Sequence, residues 1–404
     1  MFTAIQDLVI HLGAFVFVLG LVVFVHEFGH FQVAKWCGVA IEAFSIGFGK
    51  RLASWRDKNG VDWKIGALPL GGYVKFIDDG DPTSTMPAAA PANAAEREAA
   101  RRKGLFHAQP VWVRAAVAAA GPAANFVFSI AAFALILMAF GRDVTDVKQL
   151  APRVDNIQAG SAAERAGIQP GDQVVTINGA QIDNFGALQA VVSQNAGKPL
   201  SIVLRRNDSV LTISATPDER TVTDQTGVDH KQGVLGIGRN TLPEERKTER
   251  LGPIEAVGAG AAQVGNIVGS TVGYITNIFT GRASAEHIAG PLGILDMSGQ
   301  VAKVAGQGPT LGEKLENLLV GLIGWAATLS VAVGFVNLLP IPILDGGHLL
   351  FYGIEAVRGR PLDSKAQMLG FRAGLALLGS LFLFATWNDL QRLNLLEFLR
   401  GMLS

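Results

Sequence analysis

Four stretches of the chain are apolar on every face of a helix, at about residues 8–29, 113–140, 318–339 and 371–387. Crossing the ~30 Å hydrocarbon core of a bilayer takes roughly 20 residues of α-helix, so these runs predict four transmembrane helices with both termini on the same side. With their polar ends the membrane segments take in residues 1–30, 113–140, 318–345 and 371–390. Between them the pattern changes. In the loop of residues 31–112, the stretch 42–76 alternates apolar and polar around Asp57-Lys58-Asn59-Gly60, which predicts a β-hairpin. Residues 78–100 are rich in Pro, Ala and Ser without periodicity and predict a flexible connector. Residues 147–217 alternate in short runs broken by turn residues and one amphipathic helical stretch, Asn184 to Gln194, which predicts a small α+β domain. Residues 218–314 are polar at first, then mildly apolar over 253–279 with glycine interruptions. A fifth span there would invert the sidedness of all that follows, so a helical pair lying on the membrane surface is expected.

Charge orients these elements. The loop of residues 31–112 carries Lys35, Lys50, Arg51, Arg56, Arg101 and Arg102 among its cations, and the loop between the last two spans carries Arg358, Arg360 and Lys365. The positive-inside rule makes both loops cytoplasmic and puts the termini and residues 141–314 outside. The hairpin then has two readings that stay open: a solvent-exposed element, or one that dips toward the membrane and offers a strand edge to an extended substrate.

Composition fits a membrane protein with a soluble part. Only 17% of the 404 residues are charged, and the mean hydropathy is +0.32. A formal charge of zero gives no footing for nucleic-acid binding. The single cysteine, Cys37, leaves no internal disulfide, so an extracytoplasmic domain must be held by its own core. The first apolar run has almost no basic segment before it and no small-x-small cleavage pattern, so it is expected to be retained rather than removed as a signal peptide.

The chemistry sits at the end of that first run, in Val25-His26-Glu27-Phe28-Gly29-His30. Ionisable groups at membrane depth cost roughly 2.5 kcal/mol or more each, so they are kept where they have a partner or a task. Histidines at i and i+4 share one helix face, where both can bind one zinc while the intervening glutamate poises a water. The bland alternative is a pair of satisfied core histidines. A metal needs further ligands, and the third span ends Asn337-Leu338-Leu339-Pro340-Ile341-Pro342-Ile343-Leu344-Asp345-Gly346-Gly347-His348. Asp345 is the candidate carboxylate: the prolines disrupt helical hydrogen bonding and the glycines let the backbone bend back. Asn337 is either a helix-to-helix hydrogen bonder or a donor near the scissile carbonyl. His348 is a spare ligand or an ordinary packed histidine.

Two resemblances extend this reading. Ala166-Gly167-Ile168-Gln169-Pro170-Gly171-Asp172 followed by Ile177-Asn178-Gly179 resembles the bacterial permuted PDZ domain over residues 147–217; that implies a groove for an extended peptide, and a small domain with a blocked groove is the alternative. His-Glu-Phe-Gly-His, Gly121-Pro122-Ala123-Ala124-Asn125, the PDZ insertion, Gly290-Pro291-Leu292-Gly293-Ile294 and the Asn337 to Gly346 segment together resemble the site-2 protease family, in its RseP-type branch of bacterial zinc intramembrane metalloproteases. One PDZ copy rather than two is similar to the shorter, MmpA-like members. The resemblance implies that His26, His30 and Asp345 bind Zn2+ and that Glu27 is the general base. It implies that Asn337, with Pro340 and Pro342, holds the substrate, and that the hairpin presents it as a strand. It further implies a multi-pass protein of the bacterial inner membrane, with a periplasmic PDZ domain and the active site near the cytoplasmic side. Its partners would be the lipid bilayer, single-pass membrane substrates and an upstream site-1 protease acting on them. A catalytically silent PDZ adaptor and a metal-handling membrane protein are the competing functions.

Overall fold

The computed structural model describes residues 2–78, 94–242 and 245–393. In chain order the helices are α1 (Phe2–Trp36), α2 (Ala94–Arg102), α3 (Val111–Phe140), α4 (Ala162–Arg165), α5 (Phe185–Ser193), α6 (Pro253–Phe279), α7 (Pro291–Ala305), α8 (Leu311–Asn337), α9 (Asp345–Arg358) and α10 (Ser364–Arg392). The strands are β1 (Ile41–Arg56), β2 (Asp62–Phe76), β3 (Arg142–Asp143), β4 (Asn156–Ile157), β5 (Gln173–Ile177), β6 (Ala180–Gln181), β7 (Leu200–Arg206), β8 (Ser209–Ala215), β9 (Asp218–Thr223), β10 (Asp229–Val234), β11 (Ile237–Gly238) and β12 (Thr248–Glu249). Residues 79–93 of the expected connector lie outside the described residues, and its end forms part of α2.

The chain forms two compact units. The first comprises Met1–Ile136, Ile254–Gly269 and Glu286–Ser404. α1, α3, α8 and α10 are the four helices long and apolar enough to cross a membrane. Lipid is as apolar as leucine, so such helices hold together by close contact of small residues and by buried polar links. A methyl added at Gly29 of α1 would lie 2.4 Å from the Ala120 carbonyl oxygen of α3. A methyl added at Gly334 of α8 would lie 3.1 Å from Asn125 Cβ of α3. The Ser129 hydroxyl of α3 lies 2.8 Å from the carbonyl oxygen of Ala327 on α8. Val18 and Val22 of α1, Ala302 of α7 and Leu322 and Ala326 of α8 share one buried cluster.

The sequence pattern carries the third span to Asp345, but α8 ends at Asn337. Pro340 and Pro342 offer no N–H to a helical ladder, so the chain folds back over the first turn of a new helix, α9, whose first residue is Asp345. Gly346 lies so close beneath this return that an added methyl would come 2.3 Å from the Leu338 carbonyl oxygen.

The expected hairpin is more folded than a simple ribbon. Phe44 pairs with both Val74 and Trp63, and Ser45 with both Tyr73 and Lys64, so residues 41–46 lie between 72–76 and 62–65 while 51–56 flank 62–65. The fold-over occurs where Gly47 and Gly66 cross with no room for side chains: a methyl on Gly66 would lie 2.6 Å from the Gly47 carbonyl carbon. The sheet is anchored to α1 by aromatic packing. Phe44 is fully buried, its ring centroid 5.5 Å from that of Phe31 and 4.5 Å from that of Trp63.

Residues 253–279 form one continuous helix, α6, instead of the expected pair. Its glycines weaken a helix only by about 1 kcal/mol each, and Gly260 gains a close approach to the Ile130 carbonyl oxygen on α3.

The second unit comprises Leu137–Pro253 and Ser270–Ala285. Its four-stranded sheet runs β6-β5-β7-β8. In β7, Leu200, Ile202 and Leu204 point inward and alternate with Ser201, Val203 and Arg205, the period of a half-buried strand. Leu188 and Val192 of α5 cover that face. Asn184 caps α5 by accepting a hydrogen bond from the Ala187 amide at 2.8 Å. This unit extends beyond residue 217: Leu235 joins its core, and β11 pairs with β4. Asp172, fully buried, accepts from Arg206 Nε at 2.7 Å and Nη2 at 2.8 Å, and from the Gln169 amide at 2.8 Å.

Candidate metal centre

Residues 25–30 lie within the unbroken helix α1, so His26 and His30 fall one turn apart on the same face. Their Nε2 atoms are 3.2 Å apart. The return after α8 carries Asp345 to the same point, with Oδ2 3.1 Å from His26 Nε2 and 3.5 Å from His30 Nε2. These three donor atoms lie within 4.8 Å of one another, and the three residues are the one such group among the described residues.

α3 holds both rings from behind. His30 Nδ1 donates to the Val117 carbonyl oxygen at 2.7 Å. A carbonyl only accepts, so the neutral ring carries its proton on Nδ1 and turns a bare Nε2 toward Asp345. His26 Nδ1 lies 3.1 Å from Nδ2 of the Asn125 side-chain amide. Gly121 faces the pair: an added methyl would lie 2.3 Å from His30 Nε2 and 2.9 Å from His26 Cε1. No side chain fits between α3 and the histidines at that level.

The donor set accommodates a cation. Two imidazole nitrogens and one carboxylate oxygen converge, and Asp345 Oδ2 is buried with no hydrogen-bond donor among the described residues. Lone pairs aimed at one point repel unless a positive charge lies among them. Two nitrogens and one oxygen from protein, with a fourth position left for water, is the ligand type of a catalytic zinc site.

The other residues singled out in the sequence occupy different settings. Glu27 is half-buried beside the sheet: a methyl on Gly72 would meet Glu27 Cγ at 2.7 Å and the Ser45 carbonyl oxygen at 2.6 Å. Asn337 is the last residue of α8, and its side-chain amide has no hydrogen-bond partner among the described residues. Pro342 packs on Gly347 of α9 and near Gly374 of α10, whereas Pro340 is exposed. His348 stands outside the donor group, its ring centroid 6.3 Å from that of Tyr352 and 6.1 Å from that of Phe371.

Sequence reasoning assigned no role to two features. Asn125 was visible as one amide inside an apolar span, the same signal that drew attention to Asn337. Arg114 and Glu355 form a bidentate pair at 3.1 and 2.6 Å that fastens α3 to α9. Arg114 also lies 4.9 Å from the Tyr352 ring centroid. No local pattern pairs residues that far apart.

Comparison with known proteins decides the class. The model of peptidase family M50 matches residues 14–381. The chain belongs to this family. M50 membership makes it a metalloendopeptidase of a zinc-dependent family, and its four apolar helices make it a membrane protein. A protein of Rhizobium meliloti (strain 1021) that carries the name zinc metalloprotease is 42% identical over 376 residues, 93% of this chain and 95% of that one. Metalloprotease MmpA of Caulobacter vibrioides is 40% identical over 400 residues, 97% and 98% of the two chains. Regulator of sigma-E protease RseP of Salmonella typhimurium is 30% identical over 476 residues, 95% of this chain and 99% of that one. The similarity to these M50 relatives therefore extends over nearly the whole chain, both units included.

Proposed function

We propose that this M50 peptidase cuts single-pass membrane proteins within or beside the bilayer, as the second cleavage after an upstream protease has trimmed the substrate outside. The observation that carries the reading is the convergence of His26 Nε2, His30 Nε2 and Asp345 Oδ2, supplied by α1 and α9 beside apolar helices of spanning length.

In this reading His26, His30 and Asp345 hold zinc. Bound there, the ion lowers the pKa of a water toward about 7 and polarises a carbonyl. Glu27, one residue from His26, takes the proton of the attacking water and returns it to the leaving amine. Asn337 carries free N–H donors and stabilises the developing oxyanion, with Pro340 and Pro342 bounding the substrate path. A peptide bond in a transmembrane helix has its backbone groups internally bonded, so the substrate must unwind before attack. Residues 72–76 pair with 41–46 on one side only; the other edge faces the substrate and replaces the lost hydrogen bonds.

The second unit is read as a periplasmic PDZ domain, on its fully buried core and on its Ile-Asn-Gly and Pro-Gly-Asp turns. It screens substrates by size, and both termini share its side of the inner membrane. A relative named as a regulator of sigma-E protease supports a regulatory role for the cleavage.

The test is cleavage of a pre-trimmed, single-span reporter by the detergent-purified chain beside Glu27→Gln. Cleavage lost in the variant with zinc retained is the expected result. Equal cleavage by both would overturn Glu27 as base, and no cleavage with no zinc bound would favour the silent adaptor.

A further inference from the structure

We propose that Asn125 is a positioning residue that fixes the tautomer of His26, its side-chain carbonyl accepting the Nδ1 proton so that Nε2 is free to bind the metal. The inference rests on the reading above that His26, His30 and Asp345 hold zinc.

The two histidines need the same thing and obtain it differently. A neutral imidazole has one proton, and an Nε2 that binds metal requires that proton on Nδ1. For His30 the Val117 carbonyl oxygen, 2.7 Å away, fixes this without a side chain. For His26 the group within reach of Nδ1 is the Asn125 amide, which is placed with Nδ2 toward the ring at 3.1 Å. An amide donating its N–H to Nδ1 would force the proton onto Nε2, the atom 3.1 Å from Asp345 Oδ2, and disable His26 as a ligand. An amide presenting its oxygen does the reverse. The two settings differ by a half-turn of the terminal group, which leaves its shape nearly unchanged. With nitrogen toward His26, Asn125 Oδ1 is buried with no donor among the described residues. Turning the amide gives that oxygen the His26 Nδ1 proton.

The surroundings hold Asn125 for this purpose. Its side chain is fully buried. Its own carbonyl oxygen accepts from Ser129 Oγ at 2.8 Å and lies 3.3 Å from Ser330 Oγ of α8. Gly334 closes α8 against its Cβ. A residue locked at its backbone and Cβ keeps only the amide rotation, which is the freedom the tautomer choice uses. Hydrogen bonds of this kind behind a ligating histidine typically carry 10–100-fold in metal affinity.

The experiment measures the zinc dissociation constant of the full chain in detergent, by chelator competition, for wild type, Asn125→Leu and Asn125→Asp. Leucine keeps the volume and removes the acceptor; aspartate keeps an acceptor oxygen. Thermal unfolding of each metal-free variant separates packing from binding. Expected is a loss of about 10–100-fold in Asn125→Leu, with Asn125→Asp within a few-fold of wild type. Equal zinc affinity in wild type and Asn125→Leu would overturn the inference alone. So would equal weakening in both variants, since packing would then suffice to explain it. A wild-type chain that holds no zinc at His26 and His30 would overturn the metal reading itself, and this inference with it.

Discussion

Gly72 of the β1-β2 sheet and Glu27 of the first helix pack closely, with no space at Gly72 for a side chain: a single methyl there would approach Glu27 Cγ to 2.7 Å. The strand that forms one edge of the sheet therefore also fixes where the proposed base can point.

Gly72→Ala is expected to displace Glu27 while leaving the histidines untouched. Proton transfer by a positioned side chain contributes about 10²–10⁴-fold, so kcat should fall by about 100-fold with zinc content unchanged. Steady-state kinetics beside metal analysis checks this, and an unaltered kcat would remove Gly72 from any role in placing the base.

Gly121→Ala attacks the other side of the centre. The added methyl would lie 2.3 Å from His30 Nε2, so the ring must move or α3 must retreat. A displacement near 1 Å costs on the order of 100-fold in rate. Unlike Gly72→Ala, this change should also release zinc, and a fully loaded, active Gly121→Ala enzyme would show that α3 is free to withdraw.

The pair of Arg114 and Glu355 is about seven-eighths buried on both sides. Removing one member leaves the other charge without its partner, a loss of about 3–5 kcal/mol for buried pairs. Arg114→Met is expected to lower the unfolding temperature sharply, and Arg114→Met with Glu355→Leu to recover most of it. A double-mutant cycle by thermal unfolding measures the coupling; no recovery in the double variant would mean that packing on Tyr352 matters more than charge.

Acid should loosen the second unit through Asp172. Burial acts to raise this carboxyl, but the hydrogen bonds from Arg206 and the Gln169 amide, with the Arg206 charge, outweigh it and hold the group below its ordinary value. A group depressed in the folded state stabilises fully above its unfolded pKa of about 3.9 and loses that contribution as pH falls through the folded value. The methyl resonances of Ile202 and Leu204 in the full chain should thus stay native from neutrality to about pH 4, by this group's account, and change below it. Arg206→Met leaves burial uncompensated and should move the onset to higher pH; an unchanged onset would show that another carboxylate governs it.

The pattern of apolar residues by itself determined the four spanning helices, since hydropathy over some 20 residues is a local property that lipid enforces without tertiary help. The His-Glu-x-x-His spacing likewise puts two imidazoles on one helix face wherever the helix goes. Asn184 caps α5 and Leu200, Ile202 and Leu204 share one face for similarly local reasons. Tertiary structure alone decided the rest. The helix of the third span stops at Asn337, short of the Asp345 to which the extended segment runs, because the return through Pro340 and Pro342 is stabilised by packing on Gly347 and Gly374, which no window of sequence contains. The sheet folds over itself because Gly47 and Gly66 cross, and residues 253–279 stay one helix although their glycines read as breaks. Asn125 meets His26 across 99 residues, and Arg114 meets Glu355 across 241. Such contacts exist only once separate helices are brought together, and no local stretch of the sequence contains them.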